Sequence, residues 1–196
     1  QSPGTRCAGP SRTRTRSSER GARVTARVHG ALVDVEGVGV LLLGPSGIGK
    51  SECALELVRR GHRLVADDVV VLQRDPEGRL RGQTPELIRH HMELRGVGIV
   101  YVPDLFGPDS VRDSTEVRLV CRLEAWRPDL EVERVGLDRP LEEWEGVALP
   151  TLRLPARPAG SLATLVEVAV RDHRVRASGG SAARRLDARL RGEAES

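Results

Sequence analysis

Apolar and polar positions alternate from Arg23 to Val35. After Glu36-Gly37 an apolar run, interrupted only by Gly39, occupies Val38 to Leu43. Period-two alternation marks a half-buried strand and a continuous apolar run a fully buried one, so the pattern predicts a β-hairpin turning at Glu36-Gly37. No strand continues through Gly44-Pro45-Ser46-Gly47. Beyond that loop Cys53/Leu57 and Ala54/Val58 repeat at i, i+4 on good helix formers, with Gly61 placed as a C′ residue. The unit is strand, glycine loop, helix. A strand over Arg63–Ala66 runs into Asp67-Asp68 and on through Val69–Leu72, and Asp75-Pro76-Glu77-Gly78 makes the next turn. Thr84-Pro85-Glu86 supplies a cap and an N1 proline, which predicts a short helix ending before Arg95-Gly96. Gly96–Val102 and Glu116–Leu123 read as further strands. Leu162, Leu165, Val166 and Ala169 form the stripe of an amphipathic helix capped by Ser161, with Arg171 and Arg174 on its polar face. Leu186 and Leu190 mark a weaker final helix.

Residues 1–22 are rich in Arg, Ser, Thr, Gly and Pro without any hydrophobic period and read as a disordered basic leader. Residues 23–178 then form one domain, and 179–196 a weak helix and tail. A chain of 196 residues with 39% hydrophobic and 30% charged side chains builds one well-cored soluble domain. The longest apolar run is far short of the roughly 20 residues that span a bilayer, and no apolar segment follows the N-terminal arginines. No membrane span is expected, and the protein is expected to be cytoplasmic. Cys7, Cys53 and Cys121 are odd in number and widely spaced, which fits reduced thiols rather than disulfides or zinc ligands. The net charge of +3 owes much to arginines at the two ends, and with Trp 2, Tyr 1 and Phe 1 there is no aromatic-basic interleaving, so nucleic-acid binding is not expected. One composition figure is sharper. Of the 31 lysine and arginine side chains a single one is lysine, Lys50.

Lys50 belongs to Gly44-Pro45-Ser46-Gly47-Ile48-Gly49-Lys50-Ser51, a full match to GxxxxGK[ST] in the strand-loop-helix setting that this motif requires. Its glycines let backbone N–H groups turn inward around phosphate oxygens, and the following helix adds its positive N-terminus. Lys50, whose side chain the fold is not expected to bury, reaches the β- and γ-phosphates, and the Ser51 hydroxyl can hold Mg²⁺. This predicts a site for a nucleoside triphosphate. Asp67-Asp68 ends a short strand, where a carboxylate either holds Mg²⁺ through water or acts as a base; two adjacent aspartates allow both roles. His62 reads as a helix cap and His29 as a surface histidine. His90-His91 cannot share one ligand from a helix, and no third metal ligand has suitable spacing.

From His29 to Leu72 the chain resembles the bacterial HPr kinase/phosphorylase family, through His29-Gly30, the phosphate loop with Ser51-Glu52, and Arg60-Gly61-His62-Arg63-Leu64-Val65-Ala66-Asp67-Asp68. A second block, Pro85 to Arg89 and Met92-Glu93-Leu94-Arg95-Gly96-Val97-Gly98-Ile99, is similar to that family's own signature. A third lies at Arg134-Val135-Gly136-Leu137-Asp138 and Pro155-Ala156-Arg157-Pro158. The resemblance implies an α/β P-loop kinase-type domain, a mixed β-sheet with flanking helices, that assembles as a homo-oligomer, a hexamer in the family. It further implies an ATP- and Mg²⁺-dependent enzyme that phosphorylates a serine of the phosphocarrier HPr or an HPr-like protein. Many members also remove that phosphate with inorganic phosphate, giving pyrophosphate.

By position, Asp68 resembles the group that takes and returns the serine proton, and Lys50 the catalytic lysine of the loop. His29 and Arg134 match active-site residues, Ser51 and Glu93 match Mg²⁺ ligands, and Asp67 takes the metal side of the acidic pair. Pro155, Ala156, Arg157, Pro158, Ala159 and Gly160 correspond to a substrate-side loop. The chain departs from the family at Pro45, where an aspartate is common, and at Ala159-Gly160-Ser161, which replace the end of PVRPGRN. These departures bear on phosphorylase balance and effector control more than on kinase chemistry. The separate N-terminal domain of longer members is expected to be missing, and with it whatever regulation or assembly it supplies. Two other functions fit the same motifs: a P-loop kinase of a small molecule or another protein, and a non-catalytic nucleotide-sensing switch.

Overall fold

The computed structural model describes residues 25–127, 136–157 and 160–191. The predicted leader, Arg134, Pro158 and Ala159 lie outside the described residues. The first alternating segment is two strands rather than one, β1 (Thr25–His29) and β2 (Ala31–Val35). Gly30 divides them because a Cβ there would stand 2.7 Å from the Leu42 carbonyl oxygen, so only glycine passes its neighbour this closely. β2 turns through Glu36-Gly37, both at positive φ, into β3 (Val38–Leu43), giving the expected hairpin. After the glycine loop comes α1 (Lys50–Arg59), which ends as the sequence predicts. The Gly61 N–H bonds the Val58 carbonyl and the His62 N–H that of Leu57, the Schellman pattern. β4 (Arg63–Ala66) and β5 (Val69–Arg74) flank Asp67-Asp68, and β6 (Leu80–Gln83) follows the turn.

The helix predicted after Thr84 does not form. A single 3₁₀ turn at Glu86–Ile88 is followed by β7 (His91–Leu94) and β8 (Gly98–Tyr101), an antiparallel hairpin closed at Arg95-Gly96. His90 adopts φ 62, which no right-handed helix continues through, and buried Met92 alternates with exposed His91 and Glu93 in the period of a strand. Glu93 therefore sits on a strand, and His90-His91 on no helix. α2 (Val102–Phe106) leads to the long β9 (Ser114–Ala125). β10 (Leu141–Trp144) and β11 (Val147–Ala156) form a hairpin, and the chain closes with α3 (Leu162–Ala177), whose N-cap Ser161 accepts from the Thr164 N–H, and α4 (Ala182–Leu190).

The main sheet runs β11-β9-β3-β2-β4, with β11, β9 and β3 parallel and β2 and β4 antiparallel. The start of β9 instead pairs β6, joining a second sheet β1-β5-β6. An irregularity in the β3–β9 register, where Gly39 faces Val117 and Val40 faces Leu119, marks the change of sheet. One face of β3 and β9 (Val40, Leu42, Leu119) buries against Leu57 of α1 and Val166 and Val170 of α3. The other (Leu41, Leu43, Val120) packs on Val70, Leu72 and Leu80 of the second sheet. The fold is thus a mixed α/β sheet with flanking helices. Cys53 and Cys121 are buried free thiols, both pushed up to about 12 by burial. Among the described residues no helix is long and apolar enough to cross a membrane. The carboxyl ends of β3, β9 and β11 share one edge, where α/β sheets bind ligands, and β3 opens there into the glycine loop.

Asp34, 5% exposed, ties the β2–β3 turn to the start of β9. It accepts from Arg112 Nη1 (2.7 Å), Thr115 Oγ1 (2.8 Å) and the Gly37 N–H (3.0 Å). Asp34→Ala leaves a buried hydroxyl and a guanidinium without their acceptor and is expected to cost about 2–4 kcal/mol in urea unfolding at unchanged m-value. A cost below about 0.5 kcal/mol would show the turn to be held by its backbone alone.

Candidate active site

The loop from Gly44 to Ser51 carries its carbonyls and its N–H groups to different partners. Gly49 is the N-cap of α1 at φ 100, and no side chain caps the helix, so the first turn offers its N–H groups outward. Lys50 is buried, 7% exposed, contrary to the sequence expectation. Its Nζ donates to the carbonyls of Gly44 (2.9 Å) and Pro45 (3.1 Å), folding the cation back along the loop. The Pro45 carbonyl also accepts from the Ile48 N–H, and Ile48 packs on the core, which fixes the loop to the sheet.

Asp67 and Asp68 diverge through the backbone. The Val69 N–H bonds the Asp67 carbonyl at 2.9 Å across Asp68, whose φ is 68: a tight three-residue turn in a conformation that costs a non-glycine residue about 1–3 kcal/mol. In this turn one carboxylate faces inward, and the other faces outward onto His29. Asp67 is 5% exposed and accepts from Ser51 Oγ at 3.0 Å, together with the N–H groups of Glu93 and Asp68. The Asp68 side chain is 60% exposed, and its Oδ1 lies 2.8 Å from Nδ1 of His29 at the end of β1. Burial pushes the Asp67 carboxyl up to about 6, against the lowering effect of its Ser51 hydrogen bond.

One cleft of about 170 Å³ collects these groups: His29, Ser46, Gly47, Gly49, Lys50, Ser51, Glu52, Asp67, Asp68, Glu93 and Arg95 line it. Gly44, Pro45 and Ile48 shape the loop from behind. Pro155, Ala156, Arg157 and Gly160 do not line the cleft; they follow or end β11 on the same sheet edge, with the Arg157 guanidinium 6.0 Å from the Trp126 ring centre. Glu52 and Arg95 were not expected in the cleft. The turn that closes the β7–β8 hairpin brings Arg95 to the loop, and the helical expectation for the stretch before it conceals that hairpin. Four carboxylates face two cations, Lys50 and Arg95. A polyphosphate entering such a site needs further positive charge, and Ser51, Asp67 and Glu93 offer the hard oxygen donors that suit a small divalent cation. Among the described residues no three His, Cys, Asp or Glu side chains hold a metal unaided, so water and phosphate oxygens would complete its shell.

A family model described as HPr Serine kinase C-terminal domain matches residues 22–190. An HPr kinase/phosphorylase of Caldanaerobacter subterraneus subsp. tengcongensis is 51% identical over 163 residues, 83% of this chain and 53% of the relative. That of Geobacter sulfurreducens is 48% identical over 166 residues, 85% of this chain and 52% of the relative. The chain spans about half the length of these relatives. The solved structure of the Hpr(Ser) kinase/phosphatase from Coxiella burnetii superposes with a TM-score of 0.72 at 34% identity, covering 79% of this chain and 93% of that one.

The raised carboxyl of Asp67 sets a pH dependence. Its pKa is higher in the folded chain than the ordinary 3.8, so the folded state holds the proton more tightly between about pH 4 and 6. Stability therefore falls as pH rises through that window. Asp67→Asn, which mimics the protonated form, should be more stable than the parent at pH 8 in chelator by about 1–3 kcal/mol, the gap closing by pH 4. Thermal melts from pH 4 to 8 measure it, and a gap that does not narrow on acidification contradicts the assignment.

Proposed function

This chain belongs to the family of the HPr serine kinase C-terminal domain. On that premise we propose that it is an ATP- and Mg²⁺-dependent protein-serine kinase acting on HPr or an HPr-like carrier, with phosphorolytic reversal that gives pyrophosphate. The divergence of the two aspartates carries this function. Asp67 is sealed behind Ser51, while Asp68 is presented to solvent at the cleft mouth, where a serine on another protein's surface can reach it.

Phosphoryl transfer asks for positioning and charge neutralisation more than for covalent help. The loop N–H groups and the open first turn of α1 take the phosphates. Lys50 exchanges the Gly44 and Pro45 carbonyls for β- and γ-phosphate oxygens, and Arg134 adds positive charge. Ser51, Asp67 and Glu93 would hold Mg²⁺, which would offset the phosphate charge. Asp68 accepts the proton of the acceptor hydroxyl at its carboxylate, and His29 Nδ1 fixes the orientation of that carboxylate. In reversal Asp68 returns the proton. Pro155, Ala156 and Arg157 bring the start of the substrate-side stretch to the same sheet edge, and the chain works as a homo-oligomer.

The test is purified protein with labelled ATP, Mg²⁺ and HPr from the same organism, with phosphoserine detected by mass. Transfer is expected. Asp68→Asn should lower turnover by about 10² to 10⁴ in each direction the parent supports while keeping ATP affinity within a few-fold, because the loop is untouched. Nucleotide binding without transfer to any protein would replace the kinase with a nucleotide-sensing switch. Near-normal turnover in Asp68→Asn would remove this residue from the chemistry.

A further inference from the structure

Arg95 differs from the arginines that are tied up in ion pairs. Arg60, Arg112, Arg122 and Arg153 each pair with a carboxylate at 3.1 Å or less. Arg95 has none among the described residues; its Nη2 donates to the neutral Ser46 hydroxyl at 3.3 Å, 49 positions upstream. Its Nη1 lies 3.0 Å from where a Cβ on Gly47 would stand, so the guanidinium covers the tip of the phosphate loop. It is exposed and lines the same cleft as Lys50, Asp68 and Glu93. A planar fork with no anionic partner, held over a loop built for anions, is a phosphate contact awaiting its ligand.

Resting on the phosphate-loop function above, we infer that Arg95 binds the terminal phosphate of a nucleoside triphosphate, an arginine finger supplied by the chain's own β7–β8 hairpin. Lys50 leaves from the start of α1 and serves the inner part of the loop. Arg95 enters from the opposite side, at the Ser46-Gly47 tip, in the space shared with Asp68. The group to be transferred must lie between loop and base, so the guanidinium meets the phosphoryl that carries the most charge. Glu93 lies on β7 and Arg95 in the turn that follows it, so one hairpin delivers a carboxylate to the cation side and a guanidinium to the phosphate side. The hairpin thereby adds to Lys50 a second contact that distinguishes terminal phosphate from diphosphate, while the loop N–H groups engage both nucleotides.

Calorimetric titration with Mg²⁺ compares the non-hydrolysable triphosphate AMP-PNP with ADP on the parent, Arg95→Ala and Arg95→Lys. Arg95→Ala should lose tenfold or more in AMP-PNP affinity while ADP stays within twofold, and Arg95→Lys should recover part of the loss. Equal losses for both nucleotides would make Arg95 a loop brace and overturn the inference, as would unchanged AMP-PNP binding. A loss confined to inorganic phosphate, titrated in the presence of ADP, would move Arg95 to the free phosphate of the reverse reaction and likewise overturn it. A parent that binds neither nucleotide instead sinks the phosphate-loop function itself.

Discussion

Backbone N–H groups without carbonyl partners are costly unless a ligand or water takes them, and this fold holds a row of them open at one place. The parallel pairing of β3 with β9 makes that possible. Buried on both faces, β3 ends where the sheet edge has helices on one side and the second sheet on the other, and the chain must turn sharply to enter α1. A side chain at the N-cap would satisfy the first turn of the helix and close the site; Gly49 leaves it open. Lys50 donates to the Gly44 and Pro45 carbonyls, so the loop is braced by its own cation.

The second constraint is charge. A buried carboxylate without a cation is disfavoured, and Asp67 is placed where its burial is eased by the Ser51 hydroxyl and two N–H groups but not by an opposite charge. Such a site is unfinished by itself. A divalent cation held by Asp67, as proposed, would convert this cost into binding free energy. The backbone strain at Asp68 has the same character: the left-handed residue separates two neighbouring carboxylates, which on a regular strand would also point to opposite faces but would not bring Asp68 onto His29.

What the sequence made legible was local. Gly44 to Ser51, the Gly61 closure of α1 and the run from Arg63 to Asp68 each depend on residues within one turn of one another, and each appears where its spacing puts it. What it hid depended on distant packing. Thr84-Pro85-Glu86 is a sound helix start, but Met92 is buried in the core shared with α1, and His90 at positive φ stops the turn, so a hairpin forms. That one error of period concealed Arg95. β11 escaped notice because Pro150 and Pro155 argue against a strand. They are tolerated because Pro150 precedes the pairing with β9 and Pro155 stands near its end. The break of the first segment at Gly30 was equally unreadable, since it answers a carbonyl on β3. The candidate site followed the same rule, with the loop and acidic pair visible in the sequence and the hairpin's contribution not.

Exposure at the cleft mouth bears on the kind of acceptor. If Asp68 is the base, as proposed, its 60% exposure means that it shares its surroundings with water, which is also a nucleophile toward a bound triphosphate. A small acceptor would leave much of that water in place. A protein acceptor brings a surface of its own, and docking it against the edge formed by the ends of β3, β9 and β11 excludes water as it delivers the hydroxyl. The same docking lowers the effective dielectric around Lys50, Arg95 and Asp68, so their charges act more strongly only once the acceptor is seated. If the acceptor is a protein, the open cleft acts as a specificity device: a partner of the right shape finishes the wall and excludes the water that the open site admits.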